Sequence, residues 1–346
     1  MTLDERYNLI TRDLQEVIRG EALKKILNER DPTVYWGTAP TGSPSVGYII
    51  PALKLRDIVN AGCNLIILIA DIHAFLDNLK TPFEKIKQRT QFYILLLKSL
   101  LNTLGVDLSK VKFVIGSDYQ LNPEVTMELF KLCSITSTSQ AIKAGTEVVK
   151  QAKDPNVTSL IYPMLQALDE HFLNVDATIG GIDQKKIYGY SIDNMSKIGF
   201  DEKITYLMNP MVPGLSIKPS NTETNKMSSS DPNTKIDLLD TAEVIKKKIS
   251  KAYCLEKDIN DNSVLSLFKN LVFKIKSEFD LKREEKYGGN KHYASYIELE
   301  LDYANGNIGP ADLKNNLALF LIAFLEPIRR DFSQEENKKV FDDAYK

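Results

Sequence analysis

The stretch YPMLQALDEHFL at 162–173 sets Tyr162, Gln166 and Asp169 at i, i+4 and i+7, so on a helix they share one face. Such a polar stripe is either a solvated surface or, if buried, a set of groups that each need a partner. It offers two groups able to accept from an ammonium and a carboxylate able to accept from a hydroxyl. A second constellation, VDATIGGIDQKK at 175–186, reads as a strand, then Gly180-Gly181, then a helix beginning near Asp183. Open parallel sheets bind ligands at the C-terminal ends of their strands. The glycines leave room there for a ribose or an adenine, Asp183 suits ribose hydroxyls, and Gln184 follows. A third, GTAPTGSPSVGY at 37–48, joins a strand to a helix expected near Pro44 with Ser43 as its cap, and Gly37, Gly42 and Gly47 leave a ligand room at amides that favour phosphate. By itself this is equally a tight connection, since neither the P-loop pattern nor G-x-G-x-x-G is present. Pro51 predicts a kink in the helix that follows. A fourth, NKMSSSDPNTKID at 225–237, is on composition a Ser-rich solvated linker, but Lys226 stands just ahead of its serines.

Strand-length apolar runs position these groups. TVYWGT at 33–38, NLIILIA at 64–70 and VKFVIG at 111–116 alternate with helical segments. The spacing predicts a helix over 82–104, with Thr81 as cap, Pro82 first and Glu84 completing a capping box. Ile86, Phe92, Tyr93, Leu96, Leu97, Leu100 and Leu104 form its buried face. The alternation continues through VDATIGG to KITYLMNP at 203–210, which predicts an α/β fold: a parallel sheet with helices on both faces. From about 241 to 334 only helices and loops are expected, so a helical domain begins near residue 236.

The 346 residues have room for two domains, and 43% hydrophobic with 26% charged residues is ordinary for a globular chain. The longest apolar runs, LIILIA and LALFLIAFL, are too short to span a bilayer, so no membrane partner is expected. The N-terminus shows no basic region followed by an apolar stretch, so no secretory signal is expected. Cys63, Cys133 and Cys254 are too few and too scattered for a disulfide framework or a zinc site, and they suit a reducing cytosol. With a formal charge of −2, a polyanionic partner must be met by local basic patches.

Taken in order, VYWGTAPTG, ILIADIHAFLDN, GSDYQL, YPMLQALDEHFLNVDATIGGIDQKK, LMNPMVPGL, KMSSS, EKYGGNKHYASY and GPADLKN resemble the tyrosyl-tRNA synthetases of the archaeal and eukaryotic cytosolic type, a class I synthetase family. The resemblance implies a Rossmann-type parallel-sheet catalytic domain over 1–217 and the family's mobile KMSSS loop with a linker over 218–235. An all-helical anticodon-binding domain over 236–346 follows. It implies a cytoplasmic enzyme that activates tyrosine with ATP, accompanied by Mg2+, and transfers it to tRNA(Tyr), without a tightly bound protein-ligated metal. Lys226 and Ser229 are then expected on the phosphates, with Ser45 beside them as a catalytic residue. Tyr35 and Asp169 hold the tyrosine hydroxyl, and Tyr162, Gln166 and Gln184 its amino group. His73 and Tyr119-Gln120 lie near the ring, although a lone histidine there is equally structural. Gly37, Gly47, Gly180, Gly181 and Asp183 are expected around the nucleotide.

SVGY at 45–48 stands where the family's signature is usually written HIGH, so Ser45 and Tyr48 replace two histidines. A serine hydroxyl is a shorter, uncharged donor. Lys185 matches a residue, usually Arg, that inspects the first base pair of the acceptor stem; Tyr287 would stack on the first anticodon base and Asp312, after Pro310, would hydrogen-bond it. KKKISKA at 246–252 is a phosphate contact or a solvated face. The family is homodimeric, and CSITSTSQAIKAGTEVVKQAKD falls in its dimer-contact segment, about 115–160. The chain is expected to lack the RNA-binding module that animal members append. Two alternatives stay open. One is the tryptophanyl sibling, against which the phenol-suited Tyr35 and Asp169 weigh. The other is a catalytically silent relative that binds RNA, which Ser45 favours and the retained Lys226 opposes.

Overall fold

The computed structural model describes residues 1–77, 80–149, 155–201, 203–211, 235–260 and 262–346. It divides into two compact units. The first comprises Met1–Gly42, Lys54–Met211 and Glu336–Lys346; the second comprises Ser43–Leu53 and Val212–Glu335, of which 212–234 and 261 are outside the described residues.

The first unit is built on six strands: β1 (Glu16–Ile18), β2 (Thr33–Thr38), β3 (Asn64–Ile69), β4 (Val111–Ile115), β5 (Ala177–Gly181) and β6 (Thr205–Asn209). Their order is β1-β6-β5-β2-β3-β4. All neighbours run parallel except β1, which lies antiparallel on β6. The chain proceeds from β2 to β3 and β4 on one side, then returns to place β5 and β6 on the other. That is the doubly wound, Rossmann-type arrangement, with its topological switch between β2 and β5, where ligands bind beyond the strand ends. In β3 every residue but Asn64 is buried, as a near-continuous apolar strand covered on both faces must be. Tyr35, Ile66, Leu68, Tyr188, Tyr206 and Met208 pack together in one core cluster beside this sheet. The three-residue edge strand β1 is too short to show a period and has no counterpart in the sequence reading.

Helix α1 (Ile49–Asn60) carries Pro51 as its third residue. An amide in the first turn has no intrahelical partner, so Pro51 costs no bond and the expected kink has no cause. Helix α2 (Ile86–Thr103) buries Phe92, Tyr93, Leu96, Leu97 and Leu100 as its spacing predicts. Its start differs from expectation: a 3-10 turn, Phe83–Lys85, precedes it, and Pro82 caps that turn without a side-chain bond. Thr81 caps nothing, because its buried hydroxyl donates instead to Pro40 O at 2.8 Å. Helix α3 (Val157–Phe172) and helix α4 (Lys185–Asn194) flank β5 in sequence. The C-terminal helix, Glu335–Tyr345, sets Phe341 and Tyr345 against Phe92, with ring centroids 5.4 and 5.2 Å apart.

The second unit is mainly helical, including Ala242–Lys251, Tyr296–Ala304 and Pro310–Asp331 around Phe268, Leu271, Leu313, Leu317 and Leu321. It also contains an antiparallel ribbon of β7 (Phe279–Leu281) and β8 (Lys291–Tyr293), which corrects the expectation of no strand. Phe279 anchors the ribbon between Phe268 and Phe320, at 5.2 and 6.4 Å. Three-residue strands held by aromatic packing leave no alternation to read. Among the described residues, no helix is long and apolar enough to cross a membrane.

Candidate functional site

Helix α3 turns Asp169 into the first unit's interior, where it is 1% exposed. Its Oδ1 accepts from the Tyr119 hydroxyl at 2.6 Å and from Gln120 Nε2 at 2.7 Å. Its Oδ2 has no partner in the protein, and neither has Gln120 Oε1. Burial pushes the Asp169 carboxyl up to about 7, against the pull of those two hydrogen bonds. An unpaired buried acceptor costs about 1–3 kcal/mol, so a ligand hydroxyl donating to Oδ2 would recover that cost. Tyr35, on β2, is also buried, and burial followed by the charge of Asp169 raises its pKa. The same causes raise Tyr119, so both phenols remain protonated at neutral pH. Gly37 lies two residues along the same strand face, where a Cβ would fall 2.6 Å from the Tyr35 hydroxyl. Only glycine leaves Tyr35 its place.

Gln166, one turn before Asp169, donates through Nε2 to Gln184 Oε1 at 3.0 Å, so the helix face and the turn after β5 meet. Tyr162 is half-buried, with its ring edge-on to His73 at 4.6 Å. Burial lowers His73 to about 3, which keeps the imidazole neutral. At the strand end, the glycines are crowded by the protein itself. A Cβ on Gly180 would lie 2.2 Å from the Tyr188 hydroxyl, and one on Gly181 would lie 2.3 Å from Asp183 Oδ1. Asp183 is buried. Behind Asp169 lies a group that sequence reasoning missed. Buried Glu170 accepts from Ser191 Oγ at 2.9 Å and Tyr206 Oη at 3.0 Å, and burial pushes its carboxyl up to about 8. Two adjacent acids in an apolar helix were its only signal.

In the second unit, Ser45 is buried and caps the 3-10 turn Val46–Tyr48, its Oγ accepting from Gly47 N at 3.3 Å. It takes the capping place expected of Ser43. Lys226 and Ser229 lie outside the described residues. Tyr287 ends a 3-10 turn, 61% exposed, beside a cavity of about 800 Å3 that Arg283, Asn290, Asp312 and Asn315 also line. Pro310 opens its helix, and Asp312 Oδ2 accepts from Gly309 N at 2.9 Å and faces Arg283 Nη1 at 3.6 Å. Arg283, which no sequence signal marked, is held by the carbonyls of Gly289 and Asn307. Of KKKISKA, Lys248 is tied to Asp240 at 2.7 Å, whereas Lys246 and Lys247 are exposed. In the first unit, Lys185 pairs with Glu16 at 2.7 Å, an exposed contact of little energetic weight.

The first unit thus presents a carboxylate oxygen, two protonated phenols and a glutamine pair at the end of a parallel sheet. Its chemistry suits pairing with a small polar molecule that bears a hydroxyl. Among the described residues, no three His, Cys, Asp or Glu side chains cluster to hold a metal ion. A family model described as "tRNA synthetases class I (W and Y)" matches residues 27–326. A chicken (Gallus gallus) protein named "Tyrosine--tRNA ligase, cytoplasmic" is 48% identical over 341 residues, covering 99% of this chain and 63% of that protein. The chain therefore spans less than two thirds of that relative's length. A protein of the same name from Saccharomyces cerevisiae is 43% identical over 351 residues, covering 99% of this chain and 86% of the relative. The crystal structure of a tyrosyl-tRNA synthetase complexed with L-tyrosine, from Archaeoglobus fulgidus, matches with a TM-score of 0.85 at 34% identity, covering 95% of this chain and 99% of that one.

Proposed function

The chain belongs to the class I tRNA synthetases for tryptophan and tyrosine, and from that premise we propose that it is a cytoplasmic tyrosine–tRNA ligase. The substrates are L-tyrosine, ATP with its Mg2+, and tRNA(Tyr). The observation that carries the reading is the open Oδ2 of Asp169, set with Tyr35 in a buried site. A phenol hydroxyl donates to that oxygen, whereas a phenyl ring leaves the buried acceptor unpaired and an indole can offer only an N–H carried on a larger, differently shaped ring system. Sites built to pair a hydroxyl reject the analogue lacking it by orders of magnitude. Tyr162, Gln166 and Gln184 receive the ammonium, which leaves the tyrosine carboxylate free to attack the α-phosphate.

That attack needs positioning and charge stabilisation rather than a covalent nucleophile. Gly37, Gly47, Gly180, Gly181 and Asp183 receive the nucleotide, and Lys226 and Ser229 of the KMSSS segment act on its phosphates. Ser45 acts as a capping residue that orders the Gly47 amide rather than as a substitute for an imidazole; its engaged Oγ supports this role. Tyr287, Pro310 and Asp312 read the anticodon, supported by an exposed ring beside a polar cavity, and Lys185 meets the acceptor stem. Two copies form a two-fold dimer, supported by the exposed Leu121, Met127, Phe130 and Val157 in one stretch of chain.

The reading is tested by titrating the protein with tyrosine, phenylalanine and tryptophan by calorimetry. Binding of tyrosine alone, weakened in Asp169→Asn, is expected. Equal affinity for all three would remove the assignment. A silent RNA-binding relative would bind tRNA yet show no tyrosine-dependent exchange of pyrophosphate into ATP.

A further inference from the structure

In the second unit, residues of the helices Ala242–Lys251 and Pro310–Asp331 line a groove of about 810 Å3. Along the longer helix Ala311, Lys314, Ala318 and Leu319 follow one another at the spacing of a single face. The alanines leave the space, and Leu319, 51% exposed, keeps the floor apolar. Lys246, Lys247 and Ser250 of the shorter helix line it as well. No Asp or Glu is among the described residues of the lining, so its three charged side chains, Lys246, Lys247 and Lys314, are all cations.

Their charge is not cancelled by the acids nearest in sequence. Asp240 is paired with Lys248 at 2.7 Å. Glu243, a turn before Lys246, has its carboxyl held low first by its own amide and the Thr241 hydroxyl, with Lys246 a lesser cause. Lys246 and Lys247 are exposed. Lys314 donates to Ser250 O at 3.0 Å, which occupies one of the three donors of an ammonium and fixes its charge at the groove. A cleft with charge of one sign and apolar walls focuses its field and gathers ions of the opposite sign. The chain as a whole carries a formal charge of −2, so this attraction is local.

The groove adjoins the cavity beside Tyr287, because Ala311 and Asn315 line both. That cavity is mixed in charge, with Glu284 and Asp312 as well as Lys282 and Arg283. A base stacked on Tyr287 is one link of a continuous chain, and the phosphates on either side of it have to lie on neighbouring surface. Of the two hollows, only the groove meets them with cations alone. We propose that it holds the sugar–phosphate backbone of the RNA whose base stacks on Tyr287, with Lys246, Lys247 and Lys314 on the phosphates and the apolar floor beneath a ribose. This rests on the proposed anticodon reading by the second unit. Such contacts supply affinity and register but carry no sequence information.

The test is the affinity for tRNA(Tyr) across a range of salt, for the wild type, for Lys246→Gln, Lys247→Gln and Lys314→Gln, and for all three combined, with thermal melting in parallel. Each lysine removed should weaken binding about three- to fourfold near physiological salt and make the slope of log affinity against log salt shallower by about 0.7. The loss should be the same for a transcript whose first anticodon base is changed, whereas Tyr287→Ala should narrow the difference between the two transcripts. Lys246→Arg and Lys247→Arg should keep the wild-type slope. If the triple variant keeps the wild-type affinity and slope, the lysines are a solvated face and the inference is wrong while the anticodon reading stands. If the wild-type chain binds no tRNA(Tyr), that reading fails first and takes the inference with it. An oligoglutamate peptide that competes as well as single-stranded RNA of equal charge would assign the groove to acidic protein segments instead.

Discussion

Asp169 combines two properties that seldom meet in one side chain: full burial and an oxygen left without a donor. Asn at this position keeps an acceptor for Tyr119 and Gln120 but presents an amide where the ligand hydroxyl needs a carboxylate, so tyrosine affinity should fall about ten- to a hundredfold by calorimetry. Unchanged affinity would separate Asp169 from the ligand. Its neighbour governs pH. Burial raises both carboxyls, Asp169 to about 7 and Glu170 to about 8, so the folded chain keeps protons that the unfolded chain releases from about pH 4 upward. Their contribution to stability is therefore fully present at acid pH and is lost as pH rises through 7 to 8. Glu170→Gln keeps an acceptor for Ser191 and Tyr206 without the charge, so its melting temperature should fall less steeply than wild type between pH 5 and 8. Parallel curves would remove Glu170 as the cause. The shared face of Tyr162, Gln166 and Asp169 was legible because helical spacing is a local pattern, whereas Gln184 joined Gln166 only through the family resemblance. The Glu170 partners, 21 and 36 residues away in sequence, leave no periodic trace.

At the scale of elements, length decided what was legible. Strands β2, β3, β4, β5 and β6 and the buried face of α2 announce themselves by composition or period, whereas β1, β7 and β8, with three residues each, do not. The start of α2 shows how a local rule loses to tertiary structure. Thr81, Pro82 and Glu84 spell a capping box, but the Thr81 hydroxyl finds Pro40 O, 41 residues away, and the helix begins later at Ile86. Pro51 shows the reverse, a residue read as disruptive that sits harmlessly in a first turn. The packing of α2 gives a direct check: Leu100 is wholly buried, so Leu100→Ala should lower stability by about 2–5 kcal/mol in denaturant melts. A loss below about 1 kcal/mol would mean that the face is less tightly packed than the structure shows. Gly180→Ala should damage the fold as well as the strand end, because the added methyl meets the buried Tyr188 hydroxyl at 2.2 Å, and Tyr188 packs on Tyr206 at 4.8 Å. The expected result is a stability loss of about 1–3 kcal/mol in denaturant melts, and unchanged stability would show that Tyr188 yields freely.

For the molecule as a whole, the ordered set of motifs was legible where single motifs were not. The α/β class, the helical second unit and the family all follow from that order, while KMSSS, with Lys226 and Ser229, lies outside the described residues. Assembly is less legible, because an exposed apolar side chain does not name what covers it. Phe130, 61% exposed, and Met127, 56% exposed, are the natural probes. In sedimentation, the wild type should run as a dimer and Phe130→Asp should shift towards monomer; a monomeric wild type would exclude the two-fold assembly. The central claim, that a phenol-reading pocket serves adenylate formation, is met most directly by exchange of labelled pyrophosphate into ATP, with tyrosine, phenylalanine and tryptophan supplied in turn. Exchange with tyrosine alone, abolished in Lys226→Ala and strongly reduced in Asp169→Asn, is the predicted result. Exchange with phenylalanine at a comparable rate, or none with tyrosine in a folded protein that still binds tRNA, would contradict it.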